Sequence, residues 1–289
     1  MIVKKTEWDI EIEPKTSWFS FKLNEIWKYR DLVALLVKRD YIAKYKQTIL
    51  GPLWHIIQPL LSTIISFLLF NVVANIGTDG KNAILFQLAG ITIWGYFATC
   101  LTNTANTFIS NAGIFGKVYF PRLVMPFSVI ISSFLQMAIQ FVVLVVAIII
   151  IAINQGQLNT DWYNLLLLPV VIIIMALLAL GLGIIVSSLT TKYRDLAVLV
   201  GFGVQLLMFA SAVNYPISTI ASRLGTDSYV YQLVAYNPLS ILVESFRNIM
   251  LGGNIQYGML AYTGGITLIV LMGGIMLFNK VEKSFMDTV

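Results

Sequence analysis

The feature that most constrains this chain is a series of long apolar runs, which begins near residue 54 and continues almost to the end. A bilayer core is crossed by about 20 consecutive apolar residues in a helix. We therefore predict transmembrane helices at Trp54–Ile76, Ile84–Thr104, Leu123–Ile153, Leu165–Leu189, Leu196–Val213 and Met259–Phe278. The third run is longer than a bilayer needs, so we expect this helix to tilt or to extend beyond the membrane.

The scarcity of charge supports this prediction. Charged residues make up 11% of the chain and the mean hydropathy is +0.82, whereas a soluble domain carries roughly 25% charged residues. Most of the outer surface must therefore face lipid. The predicted fold class is an all-α polytopic membrane protein with six transmembrane helices.

The positions of the basic residues predict the orientation. Of the 19 lysines and arginines, 16 fall in the first 50 residues, in the loops after the second and fourth runs, or in the tail; the other side of the membrane would hold only Lys81, Arg223 and Arg247. Cytoplasmic loops carry the excess of basic residues, so we predict that both termini lie in the cytoplasm. No basic soluble module is present, and we expect no nucleic-acid partner.

The chain divides into three predicted regions. Residues 1–24 form a polar cytoplasmic tail, residues 25–50 an amphipathic interface helix with its connector, and residues 51–289 the six-span domain. Within that domain, residues 217–254 are moderately apolar but are broken by Gly225, Pro238 and Gly252. We expect this segment to form one or two short re-entrant helices that dip into the outer leaflet and are covered by protein or a wet cavity.

The helix that precedes the first span is predicted to be amphipathic. Apolar side chains recur at a spacing of three or four residues and share one face: Ile26, Tyr29, Val33, Leu36 and Val37. The basic residues on its other faces suit a helix that lies in the inner headgroup layer and attracts anionic lipid or phosphate. Two roles remain open for this helix, which are simple anchoring and guidance of a lipid phosphate toward an entrance.

Several kinds of chemistry are missing from the sequence. The string closest to a phosphate-binding loop, residues 113–117 (GIFGK), has the wrong spacing. No Asp, Glu, His or Cys cluster has metal-ligand spacing, and we assign no catalytic or metal residue. Ion-coupled carriers place ionisable groups inside their spans, but these spans are essentially uncharged apart from Glu244 and Arg247 of the re-entrant segment. This pattern favours a transporter with an external energy source.

Aromatic residues cluster near the ends of the spans. Such residues form belts at the membrane interfaces, and some of them are alternatively expected to line a conduit and stack on sugar rings. The sequence leaves both readings open for Trp54, Trp94, Tyr96, Phe97, Trp162, Tyr163, Tyr215, Tyr229, Tyr231 and Tyr236.

Several short strings, in order along the chain, carry a resemblance to a known family. They are RDL at 30–32, RD at 39–40, YKQTILGPLW at 45–54 with QP at 58–59, KVYFP at 117–121, YRD at 193–195, YP at 215–216 and NPL at 237–239. Together, on a six-span frame, they resemble the ABC-2 type permeases that export polysaccharides and polyol phosphates, and they are most similar to the O-antigen permeases. The resemblance covers residues 25–289.

This resemblance implies a homodimer with a conduit between its two copies. Each copy would dock one cytoplasmic ATPase subunit, so ATP and Mg would bind the partner and this chain would hold no cofactor. The implied substrate is a glycan carried on undecaprenyl diphosphate, and the implied location is the bacterial cytoplasmic (inner) membrane. Alternatives are a capsule or teichoic-acid permease, an ABC-2 exporter of a drug or simple lipid, or, more distantly, a membrane-embedded transferase.

The candidate site residues follow from the same resemblance. The entrance for lipid phosphate is expected at Tyr29, Arg30, Lys38 and Arg39. The gate and coupling segment is expected at Gly116, Lys117, Arg122, Arg194 and Asp195. The conduit and exit are expected at Trp94, Tyr96, Phe97, Tyr215, Tyr236, Glu244 and Arg247.

Overall fold

A computed structural model describes residues 27–46, 48–115, 120–155, 163–190 and 195–282, in which the secondary structure is helical and no β-strand occurs. The helices are α1 Arg30–Tyr45, α2 Trp54–Ser66, α3 Ala83–Ala105, α4 Thr107–Ser110, α5 Ala112–Phe115, α6 Val124–Gln155, α7 Leu168–Thr190, α8 Leu196–Ala210, α9 Ile217–Leu224, α10 Tyr229–Ala235, α11 Pro238–Leu251 and α12 Tyr257–Glu282. Short 3₁₀ segments precede α2 and α7, and a π-helical segment, Phe67–Val73, continues α2.

Five helices are long and apolar enough to cross a membrane. They are Gly51–Val73, Ala83–Ala105, Val124–Asn154, Asn164–Thr190 and Tyr257–Lys280. These five confirm the first four predicted spans and the last, with ends that differ by a few residues.

The structure has two ends. We call one the α1 end, where α1, α4 and α5 lie, and the other the far end, which holds the 74–82 connection and residues 211–256.

The fifth predicted span is shorter than the others. Helix α8 has 15 residues, which span about 22 Å, whereas the hydrocarbon core is about 30 Å thick. The helix ends near Ala212, which has a positive φ of 50°, a conformation that interrupts a right-handed helix. A count of six spans therefore remains a prediction.

Helix α1 lies against the start of α6 through the apolar face that the sequence predicted. Val33 and Leu36 are buried, and they form a cluster with Phe120, Val124 and Met125. Tyr29 and Val37 pack against the same cluster, whereas Ile26 lies outside the described residues. The 3–4 spacing thus identified the packed face of α1 correctly.

Helix α3 is at the centre of the bundle. Over an apolar stretch of 18 residues in each helix, 72% of the α3 residues are buried, against 11% for α6. Contact between α7 and α12 is especially close, because a Cβ at Gly181 would lie 2.9 Å from the Leu271 Cα and a Cβ at Gly274 would lie 2.8 Å from the Gly181 carbonyl oxygen. Small residues allow this backbone approach, a common basis of helix association in membranes.

The segment predicted to be re-entrant contains three helices, α9, α10 and α11, rather than one or two. Gly225 ends α9 with a φ of +80°, and the Asn237 side chain accepts a hydrogen bond from the Leu239 N–H at the start of α11. Pro238 occupies the first position of α11, where its missing N–H costs nothing. Most of α11 is buried, whereas α9 has no buried residue and α10 has only Val234, so the single chain covers only the α11 part of this segment.

Candidate functional site

A groove runs between α1 and α6 at the α1 end. Its volume is about 820 Å³. We call it the basic groove, and it is lined by Trp27, Arg30, Val33, Ala34, Val37, Lys38, Tyr41, Phe127, Ile131, Leu135 and Ile139. Its walls are apolar except for the two cations and the tips of the aromatic side chains.

The predicted entrance residues do not share one face of α1. Arg30 and Lys38 line the basic groove, and Tyr29 packs in the cluster beneath α1. The Arg39 guanidinium donates hydrogen bonds of 2.9 and 2.7 Å to the Asp40 carboxylate and one of 3.1 Å to Asn111 Oδ1. Arg39 therefore connects α1 to the α4–α5 segment, while Arg30 and Lys38 remain available to a ligand in the groove.

A second pocket lies among α2, α3 and α6, with its mouth at the C-terminal end of α1. Its volume is about 450 Å³. We call it the glutamine pocket because three glutamines line it together with two tryptophans, and its lining comprises Lys44, Tyr45, Gly51, Trp54, His55, Gln58, Pro59, Ser62, Ile91, Trp94, Gly95, Thr99, Gln136, Gln140 and Met208. The predicted conduit residue Trp94 thus lies in a wall that is both aromatic and polar.

The mouth of the glutamine pocket is partly ordered by its own side chains. The Lys44 ammonium donates a hydrogen bond of 2.9 Å to Gln136 Oε1, and burial lowers the pKa of Lys44. The Tyr45 ring meets the His55 imidazole edge-on at 5.4 Å, and burial raises the pKa of the Tyr45 phenol. The Tyr45 hydroxyl and His55 Nε2 are buried without a partner in the described residues. The pocket therefore has polar atoms that are available to hydrogen-bond a ligand.

The other predicted conduit residues of α3 are buried within the chain. Phe97 has no exposed surface and packs against Trp94, with ring centroids 5.3 Å apart. Tyr96 is also buried and meets Phe134 at 6.3 Å. These two side chains support the wall that contains Trp94, and direct contact with a substrate stays a prediction for both.

At the far end, Arg247 is buried and its guanidinium binds backbone carbonyls. It donates hydrogen bonds of 3.2 Å to the Ala212 oxygen, donates another to the Val213 oxygen, and lies 3.7 Å from the centre of the Phe86 ring. No ion pair joins it to Glu244 within the described ranges, although the two are one helical turn apart. Arg247 therefore fastens the segment that follows α8 to α3 and α11.

Glu244 instead lines a polar cavity of about 660 Å³ at the far end. The Lys81 ammonium in this cavity donates a hydrogen bond to Asn248 Oδ1, which connects the 74–82 loop to α11. The neighbouring Asp79 accepts a hydrogen bond of 2.6 Å from the Ser218 hydroxyl of α9. Burial, and secondarily the positive charge of Arg247, lowers the pKa of Lys81.

The two predicted exit tyrosines have different environments. The Tyr215 hydroxyl donates a hydrogen bond to the Phe209 carbonyl oxygen, which satisfies an acceptor at the end of α8. Tyr236 is 52% exposed and meets Tyr262 edge-on at 6.5 Å. Of these two tyrosines, only Tyr236 therefore offers a large accessible aromatic surface. It lies in an apolar pocket that also includes Tyr229.

Part of the predicted gate lies outside the described residues, namely Gly116, Lys117 and Arg194. Arg122 lies in the turn before α6, and Asp195 immediately precedes α8 with an exposed side chain. Both belong to the α1 end, as do the short helices α4 and α5. The gate residues that the structure describes thus lie at the same end as α1.

Comparison with known proteins identifies the family. The model described as ABC-2 type transporter matches residues 31–251, which is more than half of the chain. The chain belongs to the ABC-2 type transporter family. Together with the five apolar spans, this membership makes it a multi-pass protein of the cytoplasmic membrane.

Curated relatives cover nearly all of this ABC-2 chain. The O-antigen export system permease protein RfbA of Klebsiella pneumoniae is 29% identical over 259 residues, which are 89% of this chain and 94% of the relative. RfbA of Myxococcus xanthus is 30% identical over 227 residues, 78% of this chain and 83% of its own. The polysialic acid transport protein KpsM of Escherichia coli is 22% identical over 257 residues, 89% and 95% of the two chains.

The sequence reasoning missed the polar residues of the glutamine pocket in this ABC-2 protein. Gln136 and Gln140 are four residues apart in a very apolar run, and this spacing places them on one helix face. The pocket-facing position of this pair could have been predicted from the sequence, because polar side chains inside spans usually face the protein interior or a cavity. Their amides both donate and accept hydrogen bonds, which suits ligands rich in hydroxyl groups.

Proposed function

We propose that the chain is the transmembrane subunit of an ABC exporter that moves a lipid-linked polysaccharide of the O-antigen type across the cytoplasmic membrane. The observation that carries this proposal is the similarity, at 29–30% identity over 78–89% of the chain, to permeases named for O-antigen export. The glutamine pocket supplies matching chemistry, since it combines tryptophans with amides inside the membrane domain.

The proposed topology places the α1 end in the cytoplasm. The excess of lysine and arginine in the first 50 residues and in the loops of this end supports the orientation. Helix α8 completes a sixth crossing in this topology, with residues 211–216 extending it toward the far end. Helices α9, α10 and α11 then form the re-entrant cap on the outer side.

Energy for transport comes, in this proposal, from two cytoplasmic ATPase subunits that bind ATP and Mg. The α4–α5 segment and the neighbouring residues Gly116, Lys117 and Arg122 form the docking and gating surface, together with Arg194 and Asp195. The hydrogen bond from Arg39 to Asn111 supports this assignment, because it joins the α4–α5 segment directly to α1. A movement of the segment would therefore be transmitted to α1.

The substrate enters, in our proposal, at the C-terminal end of α1. Lys44 lies at the mouth of the glutamine pocket beside Gly51 and Trp54, where a cation would meet the diphosphate of a carrier lipid. Arg30 and Lys38 attract lipid phosphate in the separate basic groove. The two groups of cations thus serve two lipid-facing surfaces.

Sugar contact is proposed in the glutamine pocket. Aromatic rings accept the apolar C–H faces of sugars, and glutamine side chains exchange hydrogen bonds with their hydroxyls. Trp54 and Trp94 provide the rings, and Gln58, Gln136 and Gln140 provide the amides. Because none of these residues carries a charge, a long chain can slide past without being held at one position.

A homodimer with a conduit between its copies is the assembly that we propose. In the first span only 17% of the residues are buried in the single chain. Large apolar side chains of α2, its π-helical continuation and α8 are exposed, including Ile64, Leu68, Phe202 and Phe209. Some of this surface faces lipid, and a second copy would cover the rest. Tyr236 and the polar far-end cavity with Glu244 would then lie near the exit.

Co-purification tests the proposal. The tagged chain is extracted from its native membranes in mild detergent, the co-eluting proteins are identified, and ATP hydrolysis is assayed. We expect a soluble ATPase in a 1:1 ratio with the tagged chain. A chain that elutes alone, with no associated ATP hydrolysis, would contradict the proposed exporter.

Capsule export is the second candidate. It is supported by the similarity to KpsM and to the capsule polysaccharide export inner-membrane protein CtrC of Neisseria meningitidis, which is 20% identical over 256 residues. The higher identity to the O-antigen permeases favours the first candidate. Chemical analysis of the glycan missing from a deletion strain distinguishes the two.

A further inference from the structure

The basic groove has a chemistry that sugar transport does not explain. Its lining includes Ala34 and Tyr41 of α1 and Trp27 just before α1, and the residue spacing puts them on one face with Arg30 and Lys38. The opposite wall is an apolar row on α6 that runs from Phe127 to Ile139. Apart from the two cations and the tips of the aromatic side chains, the walls offer no hydrogen-bonding group to a hydroxyl-rich ligand, and they suit a hydrocarbon chain.

Within the part of the chain that the structure describes, the two cations of this groove have no close ion-pair partner. Arg30 is exposed and lies 4.0 Å from the Asp31 carboxylate, at the limit of an ion pair, and its partner is itself 94% exposed. Lys38 has no carboxylate within ion-pair distance among the described residues. By contrast, the adjacent Arg39 is bound at 2.7 Å to Asp40. The groove therefore presents two positive charges above an apolar floor.

The two cations are eight residues apart on α1, a separation of about 12 Å along the helix. Long basic side chains can lay their methylenes along an apolar surface and direct their charges toward a common headgroup. Trp27 and Tyr41 stand at the two ends of this row, where amphipathic rings suit a membrane interface. A single anionic headgroup between the cations would match both the charge and the apolar walls.

The groove and the glutamine pocket lie on different faces of α6. At 100° per residue, the row that contains Ile131 and Leu135 is roughly 140° around the helix from the pair Gln136 and Gln140. A carrier lipid in the basic groove would therefore have α6 between its headgroup and the glutamines. This separation argues that the occupant of the groove is a lipid that is not transported.

We propose that the basic groove holds one anionic phospholipid of the phosphatidylglycerol class, with its phosphate between Arg30 and Lys38 and an acyl chain along α6. Binding adds to the contact between α1 and α6 beside the buried Val33 and Leu36 cluster, since Val33 belongs to both the groove and the cluster. This inference does not depend on the substrate of the exporter, because it concerns a resident lipid.

Native mass spectrometry of the full, delipidated chain tests the inference with two probes, dioleoyl-phosphatidylglycerol and dioleoyl-phosphatidylcholine. We expect phosphatidylglycerol to bind roughly 30-fold more tightly, because each juxtamembrane cation favours an anionic lipid by about fivefold. The variant Arg30→Gln/Lys38→Gln should lose this preference, whereas the control Arg223→Gln, on α9 at the far end, should keep it. Equal affinities for the two lipids in the unaltered chain would overturn the inference.

Two further measurements locate the lipid and identify its class. Ala34→Phe keeps both cations but fills the groove, and it should weaken phosphatidylglycerol binding in a chain that stays monodisperse. Unchanged binding in this variant would overturn the assignment to the groove. Undecaprenyl phosphate at equal concentration should not displace the phospholipid; if it does, the groove belongs to a carrier lipid and the inference is wrong.

Discussion

Replacing Gly90 by alanine should weaken the attachment of the post-α8 segment to α3. An ideal Cβ at this position would collide with the Arg247 guanidinium and lie 2.5 Å from the Val213 carbonyl oxygen. Real Cβ atoms do not approach backbone oxygens so closely, so the guanidinium and residues 212–213 must move. That movement would disturb the hydrogen bonds between Arg247 and the two carbonyls.

The magnitude follows from three contributions. Overpacking a well-packed core costs about 1–3 kcal/mol, and losing a hydrogen bond to a charged group costs about 1.5–3 kcal/mol. Alanine in place of glycine inside a helix returns about 1 kcal/mol. The free energy of unfolding should therefore fall by about 1.5–5 kcal/mol.

The single cysteine of the chain provides the assay. Cys100 is fully buried, so a thiol-reactive dye reports unfolding of the detergent-solubilised protein. The unfolding midpoint of Gly90→Ala should fall by at least about 3 °C. Gly95→Ala is the matched control in the same helix, since its Cβ would meet only Gln140 Oε1 at 3.5 Å. Equal midpoints for the two variants would refute the packing of Arg247 against Gly90.

Three further predictions follow from the same structure. Arg39→Gln should lower the unfolding midpoint through loss of hydrogen bonds worth about 1–3 kcal/mol, whereas Arg30→Gln, an exposed change, should leave it unaltered; equal effects would contradict the pairing of Arg39 with its neighbours. Because burial lowers the pKa of Lys81, the neutral amine that reacts with an acylating reagent should appear at a lower pH than that of an ordinary lysine. A membrane-impermeant acylating reagent should label Lys81 only from outside the cell. A labelling midpoint at or above pH 10.5, or labelling only from inside the cell, would contradict this prediction. Gln58→Leu and Gln140→Leu keep the side-chain volume approximately but remove the amides, so glycan export should fall while complex assembly and ATP hydrolysis persist; undiminished export would remove the glutamine pocket from the pathway.

The spans were predictable because a bilayer imposes a length on every helix that crosses it. The first four apolar runs and the last required no tertiary information, and the packed face of α1 followed from residue spacing. The count of short helices between α8 and α12 was harder to obtain. It depends on local events such as the positive φ of Gly225 and the cap at Asn237, which hydropathy does not record.

The candidate site was less predictable from the sequence because its pockets join distant segments. Glu244 and Arg247 suggested a local pair, but the Arg247 guanidinium binds carbonyls 34 and 35 residues away. Arg30 and Arg39 looked equivalent as basic residues of one helix, and only the structure shows that Arg39 is bound to Asp40 and Asn111. By contrast, the four-residue spacing of Gln136 and Gln140 was enough to predict that both lie on one face of α6.

The central claim is that this chain carries a lipid-linked glycan out of the cytoplasm. The most direct test is to measure the amount of surface polysaccharide in a strain from which the gene for this chain has been deleted. With the unaltered chain supplied on a plasmid as the reference, we expect the deletion strain to lose the surface polysaccharide and to accumulate it, still attached to its carrier lipid, on the cytoplasmic side of the membrane. An unchanged amount of surface polysaccharide in the deletion strain, with no lipid-linked glycan retained inside, would contradict the account.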